Sequence, residues 1–142
     1  MAGIRSYEAV RVGEELPRKT VHVDRATLVQ YAGASLDRNR IHWDEIFAKK
    51  VGLPDVIAHG MWTMGAAVTV VSEWCGDAGR IVRYGTRFTR PVVVPYETGA
   101  DVVFGGTVTE LDHESRRATV EIVATCGDNA VLGRATAVVA LA

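Results

Sequence analysis

The feature that most constrains the fold is the apolar segment 61–75, MWTMGAAVTVVSEWC. As a helix it carries apolar or small residues on nearly every face, so most of its sides have to be buried, within one domain or between subunits. Its valines would suit a strand equally well. The length of the segment and the Gly76-Asp77 stop that follows favour a helix. We therefore predict a buried helix that other elements must cover.

The composition of the chain limits what can cover this helix. The sequence has 142 residues, a formal net charge of −1 and 48% hydrophobic residues, which fits one ordered domain over 1–142. A near-neutral balance predicts no nucleic-acid partner and no membrane partner. The N-terminus lacks the apolar core of a signal peptide, and 61–71 is shorter than the roughly 20 residues that span a bilayer. We expect a soluble, cytoplasmic protein.

The second half of the sequence has the pattern of strands. Four runs, 80–90, 101–111, 117–126 and 130–141, are rich in β-branched residues, and 117–126 alternates apolar and polar positions almost strictly. Short polar links at 112–116 and 127–129 are typical of hairpin turns. Successive hairpins predict an antiparallel sheet with one face covered by the apolar helix. The expected fold class is α+β.

The first half reads as helices separated by turns. Asp24 is the expected N-cap of a helix over 25–34, and the segment 35–40 (SLDRNR) then breaks the pattern with turn-forming residues. A short helix is predicted from Trp43, with acidic residues in its first turn, basic residues in its last turn and Gly52 as its stop.

Three polar residues lie close together in this turn. Asp37, Asn39 and His42 fall within six residues, and a turn can bring their side chains into one cleft. A histidine beside a carboxylate is a usable acid–base pair near neutral pH. The alternative is that Asp37 and Asn39 only form the turn and that His42 caps the next helix. The spacing by itself leaves both interpretations open.

A second candidate feature is His59-Gly60 at the head of the apolar helix. Backbone N–H groups at a helix N-terminus stabilise a developing oxyanion, and a glycine there permits a ligand carbonyl to approach closely. The alternative is that Gly60 only eases entry into the helix and that His59 is satisfied by backbone carbonyls in the core. No metal is expected, because the cluster of His42, Asp44 and Glu45 lacks convergent ligands.

Taken together, the two motifs resemble a known family. YAGxSxDxNxIHWDE over 31–45 and IAHGM over 57–61 are similar to the MaoC-like, R-specific enoyl-CoA hydratase and 3-hydroxyacyl-thioester dehydratase family. The stretches VRVGEELP, AKKVGL, RFTRPVVVP and GRATAVVALA resemble the B subunit of the actinobacterial (3R)-hydroxyacyl-carrier-protein dehydratases (HadB-type). The resemblance covers nearly the whole chain.

This resemblance implies a hot-dog fold and a function for the motif residues. The implied fold is an antiparallel sheet wrapped around a central apolar helix, in a dimer that holds an acyl thioester. Asp37 and His42 correspond to the catalytic pair, Asn39 to the residue that supports them, and the backbone N–H of Gly60 to the oxyanion donor. We assign His42 as the base and Asp37, with Asn39, as the holder of the hydroxyl or water. The opposite assignment stays open, because coupled groups share their titrations.

Two positions depart from the family pattern. Leu36 stands where the family usually has glycine, so a positive φ there would be strained. Arg40 stands where the family has proline, and it is a candidate modulator of the site. A guanidinium close to His42 would lower the pKa of the imidazole, or it would pair with Asp37.

The expected function is a hydro-lyase: a (3R)-3-hydroxyacyl-thioester dehydratase, or trans-2-enoyl-thioester hydratase, of acyl-chain elongation. The implied substrate is an acyl-carrier-protein or coenzyme A thioester, with no cofactor and no metal. The implied partner is a second hot-dog chain, as a homodimer or a heterodimer. Two alternatives are a non-catalytic acyl-binding or structural subunit of a hot-dog heterodimer, and a hot-dog thioesterase. The thioesterase would need a carboxylate on the central helix, where Glu73 is the candidate.

Overall fold

The computed structural model describes residues 3–142, which form one antiparallel sheet and three α-helices. The helices are α1 (Arg25–Ser35), α2 (Glu45–Lys50) and α3 (Gly60–Cys75). The strands are β1 (Glu15–Val23), β2 (Ile81–Phe88), β3 (Ala100–Asp112), β4 (Arg117–Cys126), β5 (Asn129–Ala130) and β6 (Leu132–Ala140). Short 3-10 turns occupy Tyr7–Ala9, Arg40–His42 and Ala78–Arg80.

The sheet has six strands in the order β1-β3-β4-β6-β2, with β5 paired to β4. The β3–β4 hairpin closes where Asp112 pairs with Arg117, so the predicted turn at 112–116 is confirmed. The predicted strand at 130–141 is interrupted: Asn129–Ala130 pairs separately, and the longer strand starts at Leu132. The α+β class is confirmed.

Helix α3 is the element around which the sheet is wrapped. It contacts β1, β2, β3, β4 and β6, and Ala67, Val71 and Cys75 on its inner side are fully buried. The sheet contributes fully buried side chains such as Phe104 and Val120 to the same core. This is the hot-dog arrangement. Among residues 3–142, no helix is both long and apolar enough to cross a membrane.

Strand β1 is an element that the sequence pattern did not predict. It forms one edge of the sheet, and its register against β3 shifts between Leu16 and Lys19, around Pro17. Proline has no N–H to donate to the hydrogen bonds of a sheet, so within a strand it is tolerated only at an edge or an irregularity. A segment that contains proline is therefore not recognised as a strand from its sequence pattern. The charged residues of ELPRKTVHV are consistent with the same edge position.

Both ends of α1 follow local side-chain and backbone chemistry. The Asp24 carboxylate accepts a hydrogen bond from the Thr27 backbone N–H at 2.8 Å, which confirms the predicted N-cap. At the other end Leu36 has φ 63° and ψ 9°, the left-handed conformation that commonly ends helices. A side chain with a Cβ is disfavoured there, so the strain expected at Leu36 is present.

Replacing Leu36 by glycine should stabilise the protein. The left-handed conformation costs a residue with a Cβ roughly 1–2 kcal/mol, and glycine avoids this cost. Glycine also has more conformational entropy in the unfolded chain, which offsets about 0.5–1 kcal/mol of the gain. The Leu36 side chain is 69% exposed, so little packing is lost. We expect the free energy of unfolding, measured by urea denaturation, to rise by about 0.5–1 kcal/mol.

Leu36→Ala is the matched control, since alanine removes the same exposed side chain but keeps the Cβ. It should leave the free energy of unfolding within about 0.5 kcal/mol of the starting protein. Equal stability of the glycine and alanine variants would show that the backbone at this position is not strained.

Candidate active site

The loop between α1 and α2 places Asp37 and His42 by a chain of short-range hydrogen bonds. The Asp37 carboxylate accepts from the Asn39 backbone N–H, and the Asn39 side-chain oxygen accepts from the Ile41 backbone N–H, both at 3.2 Å. These side-chain turns lead into the 3-10 turn that directs His42 inward. Asn39 therefore shapes the loop through its side-chain oxygen, and His42 lies within this turn instead of capping α2, whose N-cap is Asp44.

His42 is buried and has a defined tautomer. Its side chain is 6% exposed, and its Nδ1 lies 2.7 Å from the Ile57 carbonyl oxygen. Because a carbonyl only accepts, Nδ1 carries the hydrogen and Nε2 keeps its lone pair. Burial lowers the pKa of His42 below its ordinary value, and His59 lowers it further, against the opposing effects of the Ile57 carbonyl and Asp37. The imidazole is therefore neutral at neutral pH, with Nε2 free to take a proton.

Asp37 lies beside the free nitrogen of His42. The Asp37 Oδ2 atom is 3.8 Å from His42 Nε2, too far for a direct hydrogen bond. Asp37 Oδ2 and His42 Nε2 can therefore each form a hydrogen bond with a third group. The predicted proximity of Asp37 and His42 is confirmed by this distance.

His59 belongs to the same cluster, although no sequence pattern indicates its contact with Asp37. It is the N-cap residue of α3 and is 1% exposed. Its Nε2 lies 3.0 Å from the Asp37 carbonyl oxygen, and its ring stacks on His42 with centroids 3.7 Å apart and planes 21° apart. Within residues 3–142, its Nδ1 atom is buried with no hydrogen-bond partner. The alternative that backbone carbonyls satisfy His59 is therefore correct for Nε2 but not for Nδ1.

A cleft of about 350 Å³ opens between His42 and the start of α3. The segment that precedes α3 is held by Val56 and Ala58, which form backbone hydrogen bonds of 2.9 Å with Val94 and Val92. The lining is mostly apolar, with Arg90 as its one charged side chain among the described residues. It consists of Ile41, His42, Ile57, Ala58, Gly60, Thr63, Phe88, Thr89, Arg90, Pro91, Val92 and Val131.

Gly60 brings the N-terminus of α3 to this cleft. It is the first residue of the helix, and His59 makes no side-chain cap. The first N–H groups of a helix have no intrahelical partner and lie at the positive end of its dipole. A Cβ built on Gly60 would lie 3.0 Å from Phe88 Cε1, so only glycine fits without displacing that ring. The helix start can therefore donate to a negatively charged oxygen in the cleft.

Arg40 lies in the same loop but is bound elsewhere. Its guanidinium donates to the Asp44 carboxylate at 2.7 and 3.0 Å and lies over the Phe47 ring, 4.5 Å from the centroid. Of the two effects expected of Arg40, pairing with Asp37 is therefore wrong, because the guanidinium pairs with Asp44 at i+4. The lowered pKa of His42 has burial as its main cause.

The cluster of Asp37, His42 and His59 has possible metal-ligand atoms within 4.8 Å of one another, but its geometry does not suit a metal ion. His42 Nδ1 and His59 Nε2 both donate to carbonyls, which leaves one lone pair on each ring. The two rings are nearly parallel, with their centroids 3.7 Å apart. An ion about 2.1 Å from both nitrogens would lie far out of both ring planes. The geometry does not fit a metal centre.

Comparisons with known proteins identify the family of this chain. A family model described as "MaoC like domain" matches residues 8–125. The 3-hydroxybutyryl-CoA dehydratase of Methylorubrum extorquens is 30% identical over 128 residues, 89% of this chain and 78% of that protein. The 3-hydroxyacyl-thioester dehydratase X of Mycobacterium tuberculosis is 38% identical over 89 residues, 63% of this chain but 31% of that protein.

A solved structure described as "MaoC-like dehydratase" superposes with a TM-score of 0.96 at 44% identity, covering 99% of this chain and 43% of that one. The chain thus spans less than half the length of this structure and about a third of the mycobacterial relative. The family model covers most of the chain, and the fold matches that of the solved structure over nearly the whole chain. The chain belongs to the MaoC-like domain family.

Proposed function

We propose that this chain is a (3R)-3-hydroxyacyl-thioester dehydratase, which also runs in reverse as a trans-2-enoyl-thioester hydratase. The observation that carries the proposal is the buried, neutral His42, which lines the cleft together with Gly60 and whose free Nε2 lies 3.8 Å from Asp37 Oδ2. A base, a second polar group and a helix N-terminus are the groups that loss of water next to a thioester requires. The names of the two dehydratase relatives support the same reaction.

The chemistry follows from the places of these groups. His42 Nε2 takes the proton from C2 of the 3-hydroxyacyl thioester, and the charge that develops on the thioester oxygen is stabilised by the Gly60 N–H. The C2=C3 double bond forms as the C3–O bond breaks. The hydroxyl receives the proton that His42 took from C2 and leaves as water. Asp37, in the loop shaped by Asn39, holds that hydroxyl. In the reverse direction it orients the attacking water.

The same geometry supports a reaction without a cofactor, because proton transfer and oxyanion stabilisation are both supplied by the chain. The apolar lining of the cleft suits an acyl chain, and the thioester carrier is coenzyme A or acyl carrier protein. Both carriers are cytoplasmic, and this is the compartment we propose for the protein.

We further propose that the chain works as a hot-dog dimer, with itself or with a related subunit. Strand β2 is the end of the sheet order, so one of its backbone edges has no strand partner among the described residues. Val82 and Phe88 on β2 and Met61 on α3 are exposed large apolar residues. Sedimentation should give a particle of about twice the 15.4 kDa chain, alone or with its partner. A monomer that is fully active would contradict this part of the proposal.

The two alternative functions gain no support from particular observations. Glu73, the carboxylate that a thioesterase would need on α3, forms an ion pair with Lys19 and lines a different groove with Trp74. A non-catalytic subunit would have no reason to keep His42 neutral with a free nitrogen facing a carboxylate.

Removing either acid–base group should abolish most turnover. Asp37→Asn and His42→Ala should each lower kcat for hydration of crotonyl-CoA by at least about 100-fold, because His42 transfers the proton and the Asp37 carboxylate holds the attacking water in place. The rate is measured as loss of enoyl-thioester absorbance, with the partner subunit added if the chain alone is silent. Near-normal kcat in either variant would contradict the assignment.

Arg40→Ala is the matched control from the same loop. Its guanidinium is bound by Asp44, so this variant should keep kcat within about threefold. A larger loss would show that Arg40 reaches the substrate after all and modulates the site.

The pH dependence should report the lowered pKa of His42. The base form is needed for proton removal from C2, and burial lowers the pKa below the ordinary value of 6.5. The plateau of kcat/KM should therefore extend below pH 6.5, with activity lost only as pH falls through the lowered pKa. An acid limb above pH 6.5 would contradict a buried neutral base, and the residual rate of His42→Ala should lack this limb.

A further inference from the structure

His59 is the buried titratable residue at the site that the proposed reaction does not use. It is 1% exposed, and it lies in contact with both acid–base groups: its ring stacks on His42 and its Nε2 reaches the backbone of Asp37. The Tyr31 ring also packs against the His59 ring, with their centroids 4.8 Å apart. A polar residue enclosed this completely needs a physical reason for being there.

The hydrogen bonds of His59 define what the ring does. Nε2 is 3.0 Å from the Asp37 carbonyl oxygen, and since a carbonyl only accepts, Nε2–H is the donor. In the neutral ring, Nδ1 is then an acceptor, and within residues 3–142 it has no partner. The ring is therefore used for its single donor. The unpaired nitrogen is a cost that an apolar residue would avoid.

This donor joins two parts of the site that are distant in sequence. Asp37 belongs to an irregular loop, where its own N–H donates to Ser35 Oγ at 3.2 Å. Among the described residues, the hydrogen bond to its carbonyl comes from His59, 22 positions further along. His59 in turn immediately precedes Gly60, the first residue of α3. This hydrogen bond ties the Asp37 end of the loop to the helix N-terminus, whereas the bonds of Ile57 to the Ile41 carbonyl and to His42 tie its other end.

We propose that His59 is a positioning residue: its Nε2–H holds the Asp37 carbonyl and so fixes the acid–base pair relative to the oxyanion donor at Gly60. The inference rests on the proposed dehydratase function for its kinetic consequences. The contact itself is a property of the fold. A misplacement of about 1 Å at a reacting centre is enough to cost about 100-fold in rate, so a tether of this kind is expected to affect kcat.

The test is a matched pair of amide variants, His59→Gln and His59→Asn. Both remove the imidazole and its unpaired nitrogen. The Gln amide reaches the place of Nε2 and keeps the donor, whereas the Asn amide ends one bond short. We expect Gln to keep kcat within about threefold and Asn to lose at least about tenfold, with KM within about threefold in both.

Two kinetic outcomes would overturn the proposal. Wild-type kcat in the Asn variant would show that the donor is not needed. Equal losses in the Gln and Asn variants would show that the stacked ring, and not its donor, is what the site requires. Circular dichroism on both variants separates these outcomes from loss of fold, and if Asn fails to fold, Gln alone decides by keeping or losing kcat.

A second readout does not depend on activity. Hydrogen exchange at the backbone amides of Asn39 and Ile41 reports the order of the loop. Exchange should be at least about tenfold faster in the Asn variant and unchanged in the Gln variant. If the wild-type protein adds no water to enoyl thioesters, the proposed function fails while the exchange rates still decide on the tether. Unchanged exchange in both variants would refute it.

Discussion

The burial of α3 is the constraint on which the rest of the structure depends. A helix with Ala67, Val71 and Cys75 fully buried on one side needs an apolar cover, and five strands supply it. Once the sheet is wrapped around it, the helix cannot shift without losing those contacts. Its first residue, Gly60, is thereby fixed at the cleft. The proposed oxyanion position is thus set by the packing of the core and not by a flexible loop.

The loop that carries Asp37 and His42 is held against this fixed helix by polar contacts. His42 donates to the Ile57 carbonyl, and His59 donates to the Asp37 carbonyl, so two imidazoles anchor the loop to the segment just before α3. The cost is visible at His59 Nδ1, since a buried polar atom without a partner destabilises a protein by about 1–3 kcal/mol. Such local violations of packing rules are expected where function selects the residue.

Much of this could be predicted from the sequence, and the failures have physical causes. Helix α3 follows from the length of its apolar segment and the stop at Gly76, and the later strands follow from the pattern of apolar residues. The Asp24 cap and the strain at Leu36 follow from local backbone preferences. Strand β1 was missed because Pro17 and its charged neighbours are tolerated only at a sheet edge, which topology alone reveals.

The contact of His59 with Asp37 could not be predicted from the sequence pattern, and the reason is different. The bond from His59 to Asp37 spans 22 positions, and no periodicity encodes which backbone carbonyl a buried ring will meet. For Arg40 a signal was present: Asp44 at i+4 is the usual partner of a cation within a helical turn. Because Arg40 lies next to the candidate catalytic residues, it was instead expected either to act on the pKa of His42 or to pair with Asp37.

The central claim is that one face of an acyl thioester meets His42 and Asp37 together while its carbonyl meets Gly60. The most direct measurement is hydration of crotonyl-CoA in deuterium oxide, with the stereochemistry of the product determined by NMR. The account predicts a 3-hydroxyacyl product of R configuration at C3, with deuterium at C2 added to the same face as the hydroxyl. Addition to opposite faces, release of free coenzyme A, or no addition by the chain with or without a related hot-dog subunit would contradict it.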